Sequence, residues 1–143
     1  MTFTTSQRTL LIAGALLFLL GLLQGAVIQS FVNPRMALSA HLTAVQSGMA
    51  LMIAGIAWSA VSLGAFLSRG ARSLIVVGMY GLWFGLTMSA ATGASKNLPI
   101  AGAGHNADLM TERLVSIVVL GSSVLMTIGW ALFVVGLVRS KSA

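Results

Sequence analysis

Cysteine is absent from the chain, and charged side chains are scarce: two acidic and eight basic residues among 143. The missing cysteine excludes a disulfide framework, a cysteine nucleophile and a thiolate-bound metal. Soluble domains carry roughly a quarter charged residues, so the 7% found here cannot cover a water-facing surface. Disorder is excluded as well, because 57% of the residues are hydrophobic. The composition predicts a single integral membrane domain over residues 1–143.

The cations lie in the gaps between apolar runs rather than on one face. A nucleic-acid site needs a clustered basic face with interleaved aromatics, so no nucleic-acid partner is expected despite a net charge of +6. The positive-inside rule predicts both termini in the cytoplasm of a bacterial-type inner membrane. The predicted cytoplasmic side holds Arg8, Arg69, Arg72, Arg139 and Lys141, and the opposite side holds Arg35, Lys96 and Arg113 together with Asp108 and Glu112.

Four uncharged apolar runs predict an all-α, integral membrane four-helix bundle. The predicted spans cover about residues 10–32, 36–67, 74–94 and 114–138, each exceeding the roughly 18–20 residues that an α-helix needs to cross the hydrocarbon core. The second apolar run starts at Leu42, although its helix can begin as early as Pro34, a residue suited to a first turn. The first run is longer than the apolar core of a signal peptide, so we expect a retained span.

Two GxxxG motifs place small residues on one helix face and allow close backbone approach. They are Gly21 with Gly25, and Gly81 with Gly85. Packing inside the bundle and packing between subunits explain them equally well. The one sizeable connection, residues 93–113, is rich in turn-forming residues.

His41 is the one good candidate for chemistry within the predicted spans, because ionisable residues there are costly. Its helix face carries small or flat residues, among them Ala37, Ala44 and Gly48. One histidine is too few for zinc, whereas haem accepts a single axial histidine on an apolar wall. An interfacial polar residue without a ligand is the simpler alternative.

Other polar and aromatic residues within the spans have structural and functional interpretations. Gln24, Gln46 and Ser47 suit hydrogen bonds between helices, and a substrate pocket is the second possibility. Tyr80, Trp83 and Phe84 form an aromatic cluster within the third span. Core packing is the default for them, and an aromatic-lined ligand pocket is the alternative. The absence of any acidic residue in the spans argues against an ion-coupled transporter.

The stretch Asn33–Leu42 (NPRMALSAHL), followed by Gly48-Met49 and later by Tyr80-Gly81, resembles the membrane-bound hydroxylaminobenzene mutases. These are similar in turn to styrene oxide isomerase, a four-span membrane enzyme. The resemblance implies a homotrimer with haem b held between neighbouring subunits and ligated through His41. It also implies a ferric iron that acts as a Lewis acid in a redox-neutral rearrangement.

The implied function is an intramolecular oxygen shift in a small aromatic substrate, such as arylhydroxylamine to aminophenol or epoxide to carbonyl. His41 would be the metal ligand, and Arg35 would pair with a haem propionate. The implied substrate groups are Ser47 or Gln46 as hydrogen-bond partners of the substrate oxygen, with Tyr80, Trp83 and Phe84 as the aromatic wall. The chain departs from the family pattern at Thr43, Ser47 and Tyr80. A non-catalytic membrane subunit, or a carrier of small hydrophobic molecules, is the alternative function.

Overall fold

The computed structural model describes residues 2–140, which leaves Lys141 outside the described part of the chain. Within that part the secondary structure is entirely helical, and four helices are each long and apolar enough to cross a membrane. They are α1 (Thr5–Ala26), α2 (Pro34–Ala57), α3 (Ala65–Thr92) and α4 (Leu109–Val138). The predicted all-α, four-helix fold is confirmed.

Side-chain caps explain where three of the four helices begin. Thr4 and Gln7 form a reciprocal capping box at the start of α1. The Asn33 side chain accepts a hydrogen bond from the backbone N–H of Met36, and Pro34 occupies the first turn of α2. Asp108 caps α4 in the same way. Since these residues satisfy amide groups that the helix itself leaves unpaired, they define the helix boundaries.

The helix boundaries differ from the predicted spans mainly at the turn between α2 and α3. The predicted second span continues to residue 67, whereas α2 ends at Ala57 and α3 already begins at Ala65. The segment between them is held by a hydrogen bond from the Ser62 N–H to the Gly136 carbonyl. Residues 68–73, which the predicted spans leave between the second and the third, belong to α3. Long arginine side chains extend toward water from a helix end, so they do not terminate it.

The bundle is two tight helical hairpins, α1 with α2 and α3 with α4, joined chiefly where α2 packs on α3. Glycines allow each hairpin to close. A methyl group at Gly48 would lie 2.6 Å from the Phe18 backbone nitrogen, and one at Gly78 would lie 2.6 Å from that of Met126. Both GxxxG motifs also pack within the chain, Gly21 against Ala44 and Gly85 against Val119. Packing inside the bundle is therefore the interpretation that the structure supports.

The connection between α3 and α4, residues 93–108, is folded tightly over one end of the bundle. Glu112 is 8% exposed, and its carboxylate accepts hydrogen bonds from the backbone N–H groups of Ser95, Lys96 and Ala107. On the other side, the Asn33 side chain donates to the Ala101 carbonyl at 3.0 Å. One buried acid and one buried amide thus hold a segment that carries no regular secondary structure.

Candidate functional site around His41

His41 lies two turns into α2, where its ring packs on Gly25 of the facing helix α1. The Nδ1 atom is 2.7 Å from the Gly21 carbonyl oxygen of α1. A methyl group at Gly25 would lie 2.8 Å from Cε1 and 2.9 Å from Nδ1, so only glycine leaves room for the ring. The sequence marks His41 as a candidate but carries no sign of this role for Gly25, because the contact joins residues 16 positions apart.

The hydrogen bond to Gly21 selects one tautomer of the imidazole. A carbonyl oxygen can only accept, so Nδ1 carries a proton, and in the neutral imidazole Nε2 carries the lone pair. No residue in the range 2–140 forms a hydrogen bond with Nε2, and the ring is only half-buried. A neutral imidazole with its second nitrogen held by a carbonyl is the usual arrangement of a metal-ligating histidine.

The residues around His41 fit a metal-containing group that takes only one ligand from the protein. Residues 2–140 contain no cluster of three or more histidine, cysteine, aspartate or glutamate side chains that could hold a metal ion. Haem ligation does not depend on such a cluster, because one axial histidine suffices. Arg35 is exposed on the same helix, about 9 Å toward its N-terminus. Its charged end is free to reach an anionic group outside the chain.

The predicted aromatic cluster forms one wall of a groove between α1 and α3. Tyr80 and Trp83 pack edge to face with ring centroids 6.5 Å apart. Their polar atoms are already used, since the Tyr80 hydroxyl donates to the Ala13 carbonyl and the Trp83 indole N–H donates to the Gln24 side chain. The groove has a volume of about 860 Å³. Phe84 lies at its edge and is 53% exposed.

The structure does not bring His41 into this groove. His41 packs on the face of α1 that carries Gly21 and Gly25, whereas Ile12 and Leu16 line the groove. Residues nine positions apart, such as 12 and 21 or 16 and 25, point to opposite sides of a helix. Within one chain, the candidate metal ligand and the aromatic wall are therefore separate.

The two predicted substrate-binding residues of α2 also separate from each other. Ser47 is 8% exposed and faces the interior of the bundle. Gln46 is exposed, and its amide forms no hydrogen bond with residues 2–140. It shares a side of α2 with Ser39 and Thr43, because Thr43 follows Ser39 by four residues and precedes Gln46 by three. We call Ser39, Thr43 and Gln46 the α2 polar stripe.

Gln24 is a structural residue, as the first interpretation of the polar residues in the spans predicts. Its side chain donates to the Thr87 hydroxyl at 3.1 Å and accepts from the Trp83 indole at 2.7 Å. The network joins α1 to α3, which otherwise make few contacts. The sequence does not reveal that Glu112 and Asn33 together hold the 93–108 segment, since most of the backbone groups they bind lie 16 or more residues away.

Comparison with known proteins places the chain in a family. Residues 6–138 match the family description of styrene oxide isomerase, which is nearly the whole chain. The chain belongs to the styrene oxide isomerase family. The family resemblance drawn from the Asn33–Leu42 stretch is confirmed, and the chain is an isomerase.

Two named relatives show how close the relationship is. The chain is 37% identical over 137 residues to hydroxylaminobenzene mutase HabB of Ectopseudomonas oleovorans, covering 95% of this chain and 83% of the relative. It is 35% identical over 111 residues to hydroxylaminobenzene mutase HabA of the same organism, covering 77% and 82%. No solved structure matches the chain. The relationship favours a catalytic protein over the non-catalytic subunit or carrier.

Proposed function

We propose that the protein is a membrane-embedded, haem b-dependent isomerase that shifts an oxygen atom within a small apolar aromatic molecule. Arylhydroxylamine to aminophenol is the first candidate reaction, because the two mutase relatives act on hydroxylaminobenzene by name. Epoxide to carbonyl is the second, by the family name. The observation that carries the proposal is the His41 ring, whose Nδ1 is bound to the Gly21 carbonyl and whose Nε2 is open.

In this proposal His41 would hold the haem iron, and Arg35 would pair with a propionate. Bound haem would supply a ferric iron as a Lewis acid for the substrate oxygen. The chain supplies the remaining conditions. The Gly21 carbonyl holds the imidazole in the ligating tautomer. The apolar surroundings exclude water, which would otherwise capture a cationic intermediate before it rearranged.

The second half of the site comes from a neighbouring copy in a homotrimer. His41 and the α2 polar stripe lie on different sides of the same helix, so they cannot meet within one chain. A ring of copies related head to tail brings two such different surfaces together. Gln46 lies only about 8 Å deeper along the helix than His41. In neighbouring copies at the same depth in the membrane, both residues can therefore face one site. Its unpaired amide also favours such a contact, because polar groups within a bilayer seek partners.

The other predicted residues take supporting roles in this arrangement. Gln46 is the candidate for hydrogen bonding the substrate oxygen, in preference to the inward-facing Ser47. The polar atoms of Tyr80 and Trp83 are engaged with α1, so we assign them to holding α1 against α3. The arginines near the two termini support an inner-membrane orientation with both termini in the cytoplasm.

An absorption spectrum of the detergent-purified protein tests the proposal. We expect an intense haem band at about 400 nm that His41→Ala removes along with turnover of hydroxylaminobenzene. His105→Ala is the matched control, because it deletes the other histidine of the chain and should leave the spectrum unchanged. A colourless wild-type protein, even after expression with added haem, would refute haem dependence. A His41→Ala protein that kept both colour and turnover would refute the assigned ligand.

A further inference from the structure

The groove between α1 and α3 has a polar end that the isomerase proposal does not use. Ser6 and Arg72 face each other one turn before the first groove residues, Thr9 and Val76. The Arg72 guanidinium donates a hydrogen bond to the Ser6 hydroxyl and is half-buried. A positively charged group is therefore held at the mouth of an apolar groove.

No acidic residue of the chain neutralises this arginine. The sequence contains only two acids, Asp108 and Glu112, and both lie at the opposite end of the bundle, where α4 begins. Arg8, Arg69 and Arg139 are exposed at the same end as Arg72. Among residues 2–140, the charged side chains at this end are therefore all basic, and they attract an anionic group from outside the chain.

The groove beyond Arg72 is long enough to hold most of an acyl chain within one leaflet. It extends from Thr9 to Leu16 on α1 and from Val76 to Phe84 on α3, which is about 10–12 Å of helix. Half of the hydrocarbon core of a bilayer is about 15 Å thick. Apart from Thr9, the Tyr80 hydroxyl and the Trp83 indole N–H, the lining is apolar. The groove volume of about 860 Å³ is that of a ligand-sized pocket.

We propose that this groove binds one anionic phospholipid of the adjoining leaflet. Its phosphate contacts Arg72 and Ser6, and an acyl chain lies along the α1–α3 groove as far as Phe84. The lipid fills a hollow that α1 and α3 leave open because both pack on α2. The inference rests on the membrane embedding proposed above, but not on haem or on any substrate.

Lipid titration of the purified full-length protein, followed by native mass spectrometry, tests this site. We expect phosphatidylglycerol to bind more tightly than phosphatidylcholine. Arg72→Gln should weaken phosphatidylglycerol binding about five-fold, as expected for one arginine near a membrane surface. Arg69→Gln is the matched control, since it removes the same charge from an exposed position at the same end. If both variants weakened binding equally, a diffuse surface charge would explain it and the site would be refuted.

A second pair of variants tests the groove itself. Val77 lines the groove and is 56% exposed, so Val77→Trp fills it without disturbing the core. Val134→Trp changes a similarly exposed valine, 54%, outside the groove. We expect only Val77→Trp to reduce the binding of both phospholipids. Unchanged lipid binding in Val77→Trp would overturn the proposal, and a raised KM for the aromatic substrate in that case would identify the groove as a substrate path. Because lipid binding is measured without haem or turnover, failure of the lipid proposal is distinguishable from failure of the isomerase proposal.

Discussion

At the scale of single residues, His41 and Gly25 act as one unit. The carbonyl of Gly21 determines which imidazole nitrogen is protonated, and the missing side chain of Gly25 determines where the ring can lie. Neither glycine has any chemistry of its own. Their contribution is to orient the ring so that Nε2 has no hydrogen-bond partner among residues 2–140, as the proposed ligand role requires.

This dependence predicts that Gly25→Ala displaces the imidazole while the bundle still folds. The new methyl group would lie 2.8 Å from Cε1, so the ring must move away from its hydrogen-bond partner. We expect haem retention to weaken about 10- to 100-fold, the usual effect of disturbing the group that supports a metal ligand. The measurement is the ratio of haem absorbance to protein in the purified variant.

Gly121→Ala provides the matched control. Gly121 lies within α4, and a methyl group there would meet no atom within 4 Å. The same change in helix propensity is therefore made without a clash, and haem content should equal that of the wild type. Equal haem loss in the two variants would contradict the proposed role of Gly25.

At the scale of elements, the 93–108 connection depends on a helix rather than on its own secondary structure. Glu112, in the first turn of α4, receives the backbone N–H groups of three residues of the connection. Those amides would otherwise be buried without partners, which costs free energy. The carboxylate therefore accepts the backbone hydrogen bonds that a helix or sheet would accept in regular secondary structure.

We predict that Glu112→Gln loosens the connection and lowers the free energy of unfolding by about 1–3 kcal/mol. The amide that replaces the carboxylate has one acceptor oxygen instead of two, and its NH₂ group would oppose a backbone N–H. Thermal unfolding in detergent and limited proteolysis of the 93–108 segment measure the two effects. A variant as stable and as protease-resistant as the wild type would show that the carboxylate is dispensable.

Asp108→Asn is the control for charge, because asparagine caps a helix about as well as aspartate. We expect thermal stability and protease resistance at neutral pH to equal those of the wild type. Hydrogen bonds from the Thr111 hydroxyl and backbone N–H hold the pKa of Asp108 below its ordinary value of 3.8. The ionised cap therefore contributes fully at neutral pH, and its contribution is lost only as the pH falls from that value through the lower folded pKa.

At the scale of the whole molecule, the chain presents His41 and Gln46 on different sides of α2. If the proposed ring of three copies exists, each site takes His41 from one copy and Gln46 from the next. Variants in His41 and in Gln46 should therefore complement each other when they assemble together, although each is inactive alone.

We predict that coexpressing His41→Ala with Gln46→Ala restores about a quarter of wild-type turnover. Random assembly makes about three quarters of the trimers mixed, and each mixed ring contains one intact site of three. Turnover of the unselected coexpressed pool is the measurement, and mixed trimers selected with two different affinity tags should reach about a third of wild-type turnover, one site of three. No recovery in mixed trimers would mean that both residues act within one chain, or that Gln46 and His41 do not share a site.

The sequence by itself determined the class and the helices of this protein. Segments such as 114–138 could be assigned from length and apolarity alone, because a chain crossing a bilayer must satisfy its backbone hydrogen bonds internally and a helix does so locally. The start of α2 was equally readable, since Asn33 and Pro34 are signals within one turn. His41 stood out because an ionisable side chain in an apolar run is rare.

Only the tertiary structure decided how these parts combine. The support of His41 by Gly21 and Gly25, the clamp on residues 93–108 and the separation of the aromatic groove from His41 all depend on which helix faces meet. Those contacts join residues distant along the chain, and apolar faces that are nearly uniform in composition carry no period that reveals them. Boundaries at Ala57 and Ala65 were missed for the same reason, because the turn between them is held by Gly136 of a distant helix.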